Sequence, residues 1–395
     1  MKYDFDTADK KEEAHTACKY DTIPEEAGEN AIPVSIADMD LPCAEPIIRA
    51  LHERIDQKIF GYTVYENEEC KQAVMGWYRK RFGWEIDKHD IFFSPGVVPA
   101  LAFLIQFLTK EGDGVIIQRP VYHPFTGKVE ANGRKVVNNP LIRKGNTYEM
   151  DFDDLDRKFA DDNTKGMILC SPHNPVGRVW REDELRKVVD IAKKYDKWII
   201  SDEIHADLIM PGFKHVSYGT ISKEALEHSI ICTAPSKTFN LAGMQLSNVF
   251  IANENYRNLF KAEQATDADF ACSILSYEAC RLAYEYGEEW LTEVINIIDT
   301  NKKIIMDFMQ EYFPQVKITQ LQATYLLWLD FRAFNLTNEE LEMRNRQKAC
   351  LYFDEGYIFG KAGSGFERWN LACPTKYIHW ALERLYQAYK EFAVK

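Results

Sequence analysis

Lys237 follows Ser236 just after an apolar run at 230–233, and four similar runs earlier in the chain also end on reactive residue types. The run at 91–93 leads into Ser94-Pro95-Gly96-Val97-Val98, and the run at 115–118 leads into Arg119-Pro120-Val121-Tyr122. The run at 166–171 leads into Pro172-His173-Asn174-Pro175, and the run at 198–201 into Asp202-Glu203-Ile204-His205. If these runs are parallel strands, their ends share one edge of a sheet, which is where open α/β sheets bind ligands. One site can then combine an amine nucleophile, a carboxylate, an imidazole, an amide, an aromatic ring and a helix N-terminus.

Several common chemistries do not account for this set. The chain has no GxxxxGK[ST] and no GxGxxG, since Gly363-Ser364-Gly365-Phe366-Glu367-Arg368 has arginine at the third glycine position. The nine histidines show neither HExxH nor a Cys/His cluster at ligand spacing, so no metal is expected. A strained GxSxG elbow is missing as well, which argues against a serine hydrolase. The set does suit pyridoxal 5′-phosphate, which needs an amine to hold it covalently, a carboxylate at its ring nitrogen, and a donor to its ring oxygen. Lys237 supplies the amine, Asp202 the carboxylate, and Asn174 and His205 the donors. Tyr122 can stack on the ring, and the amides of Val97 and Val98, with the Ser236 hydroxyl, can cup the phosphate. His173 is read as structural.

The elements that must carry these groups alternate from about residue 90. Short β-rich runs alternate with helical patterns, such as Leu185, Val188, Val189 and Ala192 within 181–196, which predicts parallel βαβ units in a large α/β domain. Ser94-Pro95 predicts an N-cap and first-turn proline for a helix through Leu101 and Leu108. After about residue 285 the texture changes. A long helical pattern over 290–313, β-rich runs at 316–319 and 325–329, a charged helix near 339–349 and a final helix from Lys376 predict a smaller α+β domain. The expected division is an N-terminal segment over 1–45 packing with the small domain, a large cofactor-binding domain over 46–285, and a small domain over 286–395.

Composition narrows the partners. The 395 residues are 46% hydrophobic and 28% charged, ordinary for a globular chain with a large core. A net charge of −13 with no basic run disfavours nucleic acid, so an anionic substrate requires a local cation. No apolar stretch reaches the roughly 18 residues of a membrane span, and the charged N-terminus lacks the apolar middle of a signal peptide. The expected compartment is the cytoplasm, where the nine scattered cysteines stay reduced.

With Ser171-Pro172-His173-Asn174-Pro175-x-Gly177, Asp202-Glu203-Ile204-His205 and Ser236-Lys237-Thr238-Phe239-Asn240, the chain resembles the class I/II aminotransferase superfamily of fold-type I pyridoxal-phosphate enzymes. Ile36-Ala37-Asp38-Met39-Asp40, Phe60-Gly61-Tyr62 and Arg368-Trp369-Asn370-Leu371-Ala372-Cys373-Pro374 make it most similar to the cystathionine β-lyase, or C-S lyase, branch. The resemblance implies an aspartate aminotransferase-like α/β fold, with a mostly parallel seven-stranded sheet in the large domain. It implies that Lys237 carries the cofactor, Asp202 pairs with the pyridine nitrogen, Asn174 binds the ring oxygen and Tyr122 lies on the ring. It also implies that Arg368 grips the substrate carboxylate, and that Tyr62 reaches the phosphate in a neighbouring subunit, making the active unit a homodimer.

Two departures from the broad superfamily pattern stand out. His205 replaces a tyrosine common three residues after the aspartate, and Gln245 replaces a phosphate-binding arginine common eight residues after the lysine. The first agrees with the lyase branch, whereas the second removes a cation from the phosphate cup. The implied activity is α,β-elimination from cystathionine or a cysteine S-conjugate, giving pyruvate, ammonia and a thiol. The alternative is amino transfer to a 2-oxo acid. A non-catalytic regulator with an appended DNA-binding module is disfavoured, because the superfamily pattern begins within the first forty residues and the charge is acidic.

Overall fold

Val115, Ile116 and Ile117 are all fully buried although they alternate in direction, so the strand they form is covered on both faces. This is the pattern of a sheet with helices on each side. The computed structural model describes residues 3–5, 17–28, 30–64, 66–266 and 272–395. Its main sheet has seven strands: β1 Ile91–Ser94, β2 Gly114–Ile117, β3 Lys135–Asn138, β4 Thr164–Cys170, β5 Trp198–Asp202, β6 Ser229–Thr233 and β7 Ser247–Phe250. Their spatial order is β1-β7-β6-β5-β4-β2-β3. The neighbours from β6 to β3 are parallel, while β7 runs antiparallel to both β6 and β1.

The two faces of the sheet feed separate apolar layers. Val115, Ile117, Ile168 and Ile200 pack with Val97, Ala100, Leu101 and Leu104 of the helix Val97–Leu108. Ile116, Met167, Leu169 and Ile199 join a larger layer that includes Trp77 and Tyr78 of Glu68–Phe82. The same layer takes in Leu185, Val188, Val189 and Ala192 of Glu182–Lys194, the stripe visible in the sequence. It continues without a break through Trp290 of the 25-residue helix Glu288–Tyr312 to Tyr389 of the last long helix, Thr375–Tyr389.

The C-terminal region carries a four-stranded antiparallel sheet. Its strands are β8 Lys317–Ile318, β9 Leu326–Asp330, β10 Asp354–Glu355 and β11 Phe366–Asn370, in the order β8-β9-β11-β10. Ile32–Pro33 pairs in parallel with Leu351–Tyr352, which ties the N-terminal segment to this region. Among the described residues, no helix is long and apolar enough to cross a membrane.

Four sequence expectations change. Ser94 does not cap a helix: it stays in β1 opposite Ser247, its hydroxyl donates to the Gly96 carbonyl at 3.2 Å, and the helix starts at Val97. The expected parallel βαβ pattern does not extend to β7, because only residues 234–246 separate it from β6 and the chain turns back beside β6. The charged helix near 339–349 is split, with α-helix over Asn338–Met343 and a wider π turn over Arg344–Lys348. The edge strand β3 went unpredicted, since Lys135–Asn138 offers only two apolar residues.

Gly166 shows how tightly β4 and β5 are matched. It lies opposite Trp198, and a methyl group there would sit 2.1 Å from the indole ring. Gly166→Ala is expected to lower the unfolding free energy by about 1–3 kcal/mol through overpacking, read as a lower urea midpoint with an unchanged slope.

Candidate active site

At the carboxyl ends of β4, β5 and β6 lies a solvent-open cavity of about 760 Å³. Gly96, Val97, Val98, Tyr122, Asn174, Asp202, His205, Ser236 and Lys237 line it together with Ala37, Cys170 and Gln245. The reversal between β6 and β7 is what brings Lys237 here: the short helix Pro235–Thr238 sits in that turn, directly past the end of β6. Asp207 anchors this turn. It accepts hydrogen bonds from Thr238 Oγ1 and Trp77 Nε1, both at 3.1 Å, and an ion pair from Arg81 at 2.7 Å.

Asp202 is the last residue of β5 and is 3% exposed. The Ile204 amide donates to its carboxylate at 3.1 Å. Burial pushes its pKa up to about 7; the Ile204 amide opposes this and the neighbouring Glu203 charge adds to it. Glu203 itself has a structural role, accepting Ser201 Oγ, His215 Nε2 and the Tyr218 amide at 2.8–3.1 Å.

Asn174 and Arg368 arrive from opposite ends of the chain and meet. Arg368, in the middle of β11 and 3% exposed, donates from Nη1 to Asn174 Oδ1 at 2.8 Å. Its Nε and Nη2 donate to Asp354 Oδ2, and its guanidinium lies 4.7 Å from the centre of the Phe359 ring. A guanidinium has five N–H groups, so three such bonds leave one hydrogen on each terminal nitrogen for an incoming carboxylate. Because Asn174 Oδ1 is already engaged, its Nδ2 is left as the donor.

His205 is held neutral: burial drives its pKa down to about 3, with the charges of Lys237 and Arg368 acting the same way. Its Nδ1 is buried with no hydrogen-bond partner among the described residues. His173 lies apart from this chemistry, with Nε2 bonded to the Pro120 carbonyl at 2.8 Å. The Tyr122 phenol, mostly buried at the cavity wall, is raised to about 12 by burial. Lys237 Nζ donates to the Ala37 carbonyl at 2.8 Å and lies 3.5 Å from Asp38 Oδ1. Burial lowers its pKa, and the Asp38 charge opposes that shift.

These groups fit pyridoxal 5′-phosphate. The first amides of the helix Val97–Leu108 cannot bond within their own helix and lie at the cavity wall, a setting suited to an anion. Asn174 Nδ2 and the orphaned His205 ring offer donors, while Asp202 is a buried carboxylate suited to a cationic ring nitrogen. Gln245 lines the cavity in a left-handed conformation, φ 51°, without supplying a charge. Tyr62 is not brought to this cavity within the chain; its side chain is fully exposed. Sequence reasoning also missed Asp38, Asp207 and Asp354, whose partners are distant in the chain.

Asp202 has a consequence for stability. A carboxyl group whose pKa is raised in the folded state binds more protons folded than unfolded between its two pKa values. Stability therefore falls as pH rises from about 4 to about 7, and the loss is complete above that. Cofactor-free Asp202→Asn should thus melt at a higher temperature than cofactor-free wild type at pH 8, with the gap closing toward pH 4.

Comparison with known proteins agrees with this geometry. The family described as aminotransferase class I and II matches residues 29–385. Cystathionine beta-lyase PatB of Bacillus subtilis is 39% identical over 380 residues, covering 95% of this chain and 98% of its own. Cystalysin from Treponema denticola, whose crystal structure contains a pyridoxal 5′-phosphate cofactor, superposes with a TM-score of 0.95 at 40% identity, covering 99% of this chain and 100% of its own. The pyridoxal-phosphate-bound C-S lyase from Staphylococcus hominis superposes with a TM-score of 0.88 at 31% identity, covering 98% of each chain. With a family match over nearly its whole length, the chain belongs to the class I and II aminotransferase family.

Proposed function

We propose that this protein is a pyridoxal 5′-phosphate-dependent carbon–sulfur β-lyase acting on cystathionine or a cysteine S-conjugate. The carrying observation is a single cavity that joins Lys237, buried Asp202 and Asn174, with the buried Arg368 bonded to Asn174 behind it, in a chain 39% identical to a cystathionine β-lyase over 95% of its length. Pyridoxal 5′-phosphate, when bound, supplies an aldehyde for the substrate amine and a ring that takes up the electron pair left at Cα. The amides of Val97 and Val98 and the Ser236 hydroxyl hold its phosphate, Tyr122 lies against its ring, and Asn174 and His205 donate to its ring oxygen. Asp202 keeps a proton on the pyridine nitrogen.

Arg368 takes the substrate carboxylate with its two remaining N–H groups, fixing which Cα bond faces Lys237. Lys237 Nζ, displaced by the substrate amine, removes the Cα proton as general base. The Cβ–S bond breaks, sulfur leaves as a thiolate, and the three-carbon remnant hydrolyses to pyruvate and ammonia. Purified protein should release pyruvate and thiol from cystathionine with no 2-oxo acid present, and Lys237→Ala should lower that rate by at least about 10²- to 10⁴-fold. Amino transfer to 2-oxoglutarate without thiol release would instead establish the aminotransferase alternative.

The working unit is a homodimer. Ile59, Phe60, Tyr62 and Val64 form an exposed apolar run without regular structure, which a partner subunit would bury. In it Tyr62 meets the partner's phosphate, residues 46–285 and 286–395 act as large and small domains, and residues 1–45 pack with the latter. The site of action is the cytoplasm, where the free thiols stay reduced. Tyr62→Phe should weaken cofactor binding by about 1–3 kcal/mol. Mixing it with Lys237→Ala should restore normal affinity at the one site pairing an intact lysine with the other chain's intact tyrosine. If affinity at that site stays weak, Tyr62 serves its own subunit.

A further inference from the structure

The segment that receives Lys237 has its backbone fixed from several sides. The Ile36 amide donates to Asp354 Oδ2 at 2.9 Å, and Asn370 Nδ2 donates to the Ile36 and Asp38 carbonyls, both at 2.7 Å. Lys19 Nζ donates to the Asp38 carbonyl at 3.2 Å, and Asn240, three residues after Lys237, binds the Met39 amide and carbonyl. Ile36 itself sits at φ 47°, a left-handed conformation rarely adopted by a β-branched residue. These bonds leave the Ala37 carbonyl and the Asp38 side chain aimed at Lys237. The Ala37 oxygen accepts from Lys237 Nζ at 2.8 Å and from the buried Tyr325 hydroxyl at 2.6 Å.

We propose that Asp38 is a positioning residue for Lys237: with the Ala37 carbonyl it forms the seat that holds the lysine amine when it is not condensed with the cofactor and that favours its ammonium form over its neutral form. The inference rests on the cofactor assignment above. Four other polar groups face the amine. Asp202 adds negative charge from the end of β5, and because burial raises its pKa to about 7 that charge is lost as the pH falls below neutral. Arg368 works against the ammonium from β11, although Asp354 pairs with it. His205 is neutral, and the Tyr325 phenol shares the same carbonyl. Asp38 is thus the carboxylate that ion-pairs with Lys237 among the described residues.

The seat does two things for a lysine that must alternate between covalent anchor and base. It holds the displaced amine beside the cavity rather than letting it swing free on its four-carbon stem. It also stabilises the ammonium formed when Nζ takes the Cα proton, and that proton can then pass to the departing sulfur. The cost is that a seated ammonium is not a nucleophile, so Asp38 should slow condensation with the cofactor at low pH.

The test uses cofactor-stripped protein mixed with pyridoxal 5′-phosphate across a pH series, following absorbance. Only neutral amine attacks the aldehyde, so the inflection of rate against pH reports the lysine. Removing a nearby negative charge lowers a lysine's pKa, so Asp38→Asn should move the inflection down by about one pH unit and speed combination below it. Asp38→Glu should stay with wild type. A profile for Asp38→Asn that superposes on wild type, or moves up, overturns the inference. Asp38→Ser is read in the same way should Asp38→Asn not fold. Failure of the cofactor assignment looks different: wild type would not combine, or borohydride would fix the cofactor on a peptide lacking Lys237.

Discussion

A carboxylate stripped of water and given almost nothing in return is the constraint around which this site is built. Asp202 lies in register between Cys170 on β4 and Cys232 on β6, whose thiols burial pushes well above their ordinary range, so neither flank offers charge or a strong donor. The other buried carboxylates nearby are compensated. Glu203 has His215, Ser201 and a backbone amide, and Asp207 has Arg81, Trp77 and Thr238. Asp202 has one amide. An uncompensated buried carboxyl group either stays protonated or waits for a cation, and a protonated pyridine ring answers that need.

Holding such a group in place demands rigid surroundings, and the sheet provides them. Strands buried on both faces cannot shift register without repacking both close-packed apolar layers, so the ends of β4, β5 and β6 are fixed relative to one another. The antiparallel return into β7 then sets the lysine-bearing turn beside them. The second half of the site comes from a different sheet. β11 delivers Arg368, β10 delivers Asp354, and the segment at 36–40 is bonded to both Asn370 and Asn240, so it spans the gap between the two sheets. The surroundings of Arg368 and of Lys237 are therefore tied to one backbone strap.

What the sequence disclosed follows from this division. The strand ends were legible because burial on both faces turns each strand into an apolar run, and reactive residues placed directly after such runs are conspicuous. Lys237, Asp202, Asn174, Tyr122 and His205 all lie within a few residues of a strand end and all line one cavity. The direction of β7 was not legible, because a run of that composition reads alike in either orientation. Nor was β3, whose edge position needs little apolar content. Asp354 carried no pattern, and Asp38 stood in a branch motif that gave it no role: the contact between Ile36 and Asp354 spans 318 positions, and nothing local to either residue signals the other. Arg368 was reached through family resemblance, since its neighbours in sequence form an ordinary buried strand.

The arrangement at Arg368 also resolves a tension set by composition. Under the proposed function a chain with a net charge of −13 binds a substrate carboxylate, and exposing a surface cation to its own acidic neighbours would leave that cation screened and loosely placed. Burying the arginine solves both difficulties only if its charge is balanced while the site is empty. Asp354 balances it on one edge, Asn174 Oδ1 takes a terminal hydrogen, and Phe359 offers a polarisable face. The guanidinium is thereby held in one orientation with two N–H groups unused, so under the proposed function a substrate carboxylate does not have to order it. The Asn174 amide that helps orient the arginine has its NH₂ group left free by the same bond, so under the proposed function one hydrogen bond links substrate recognition to cofactor recognition.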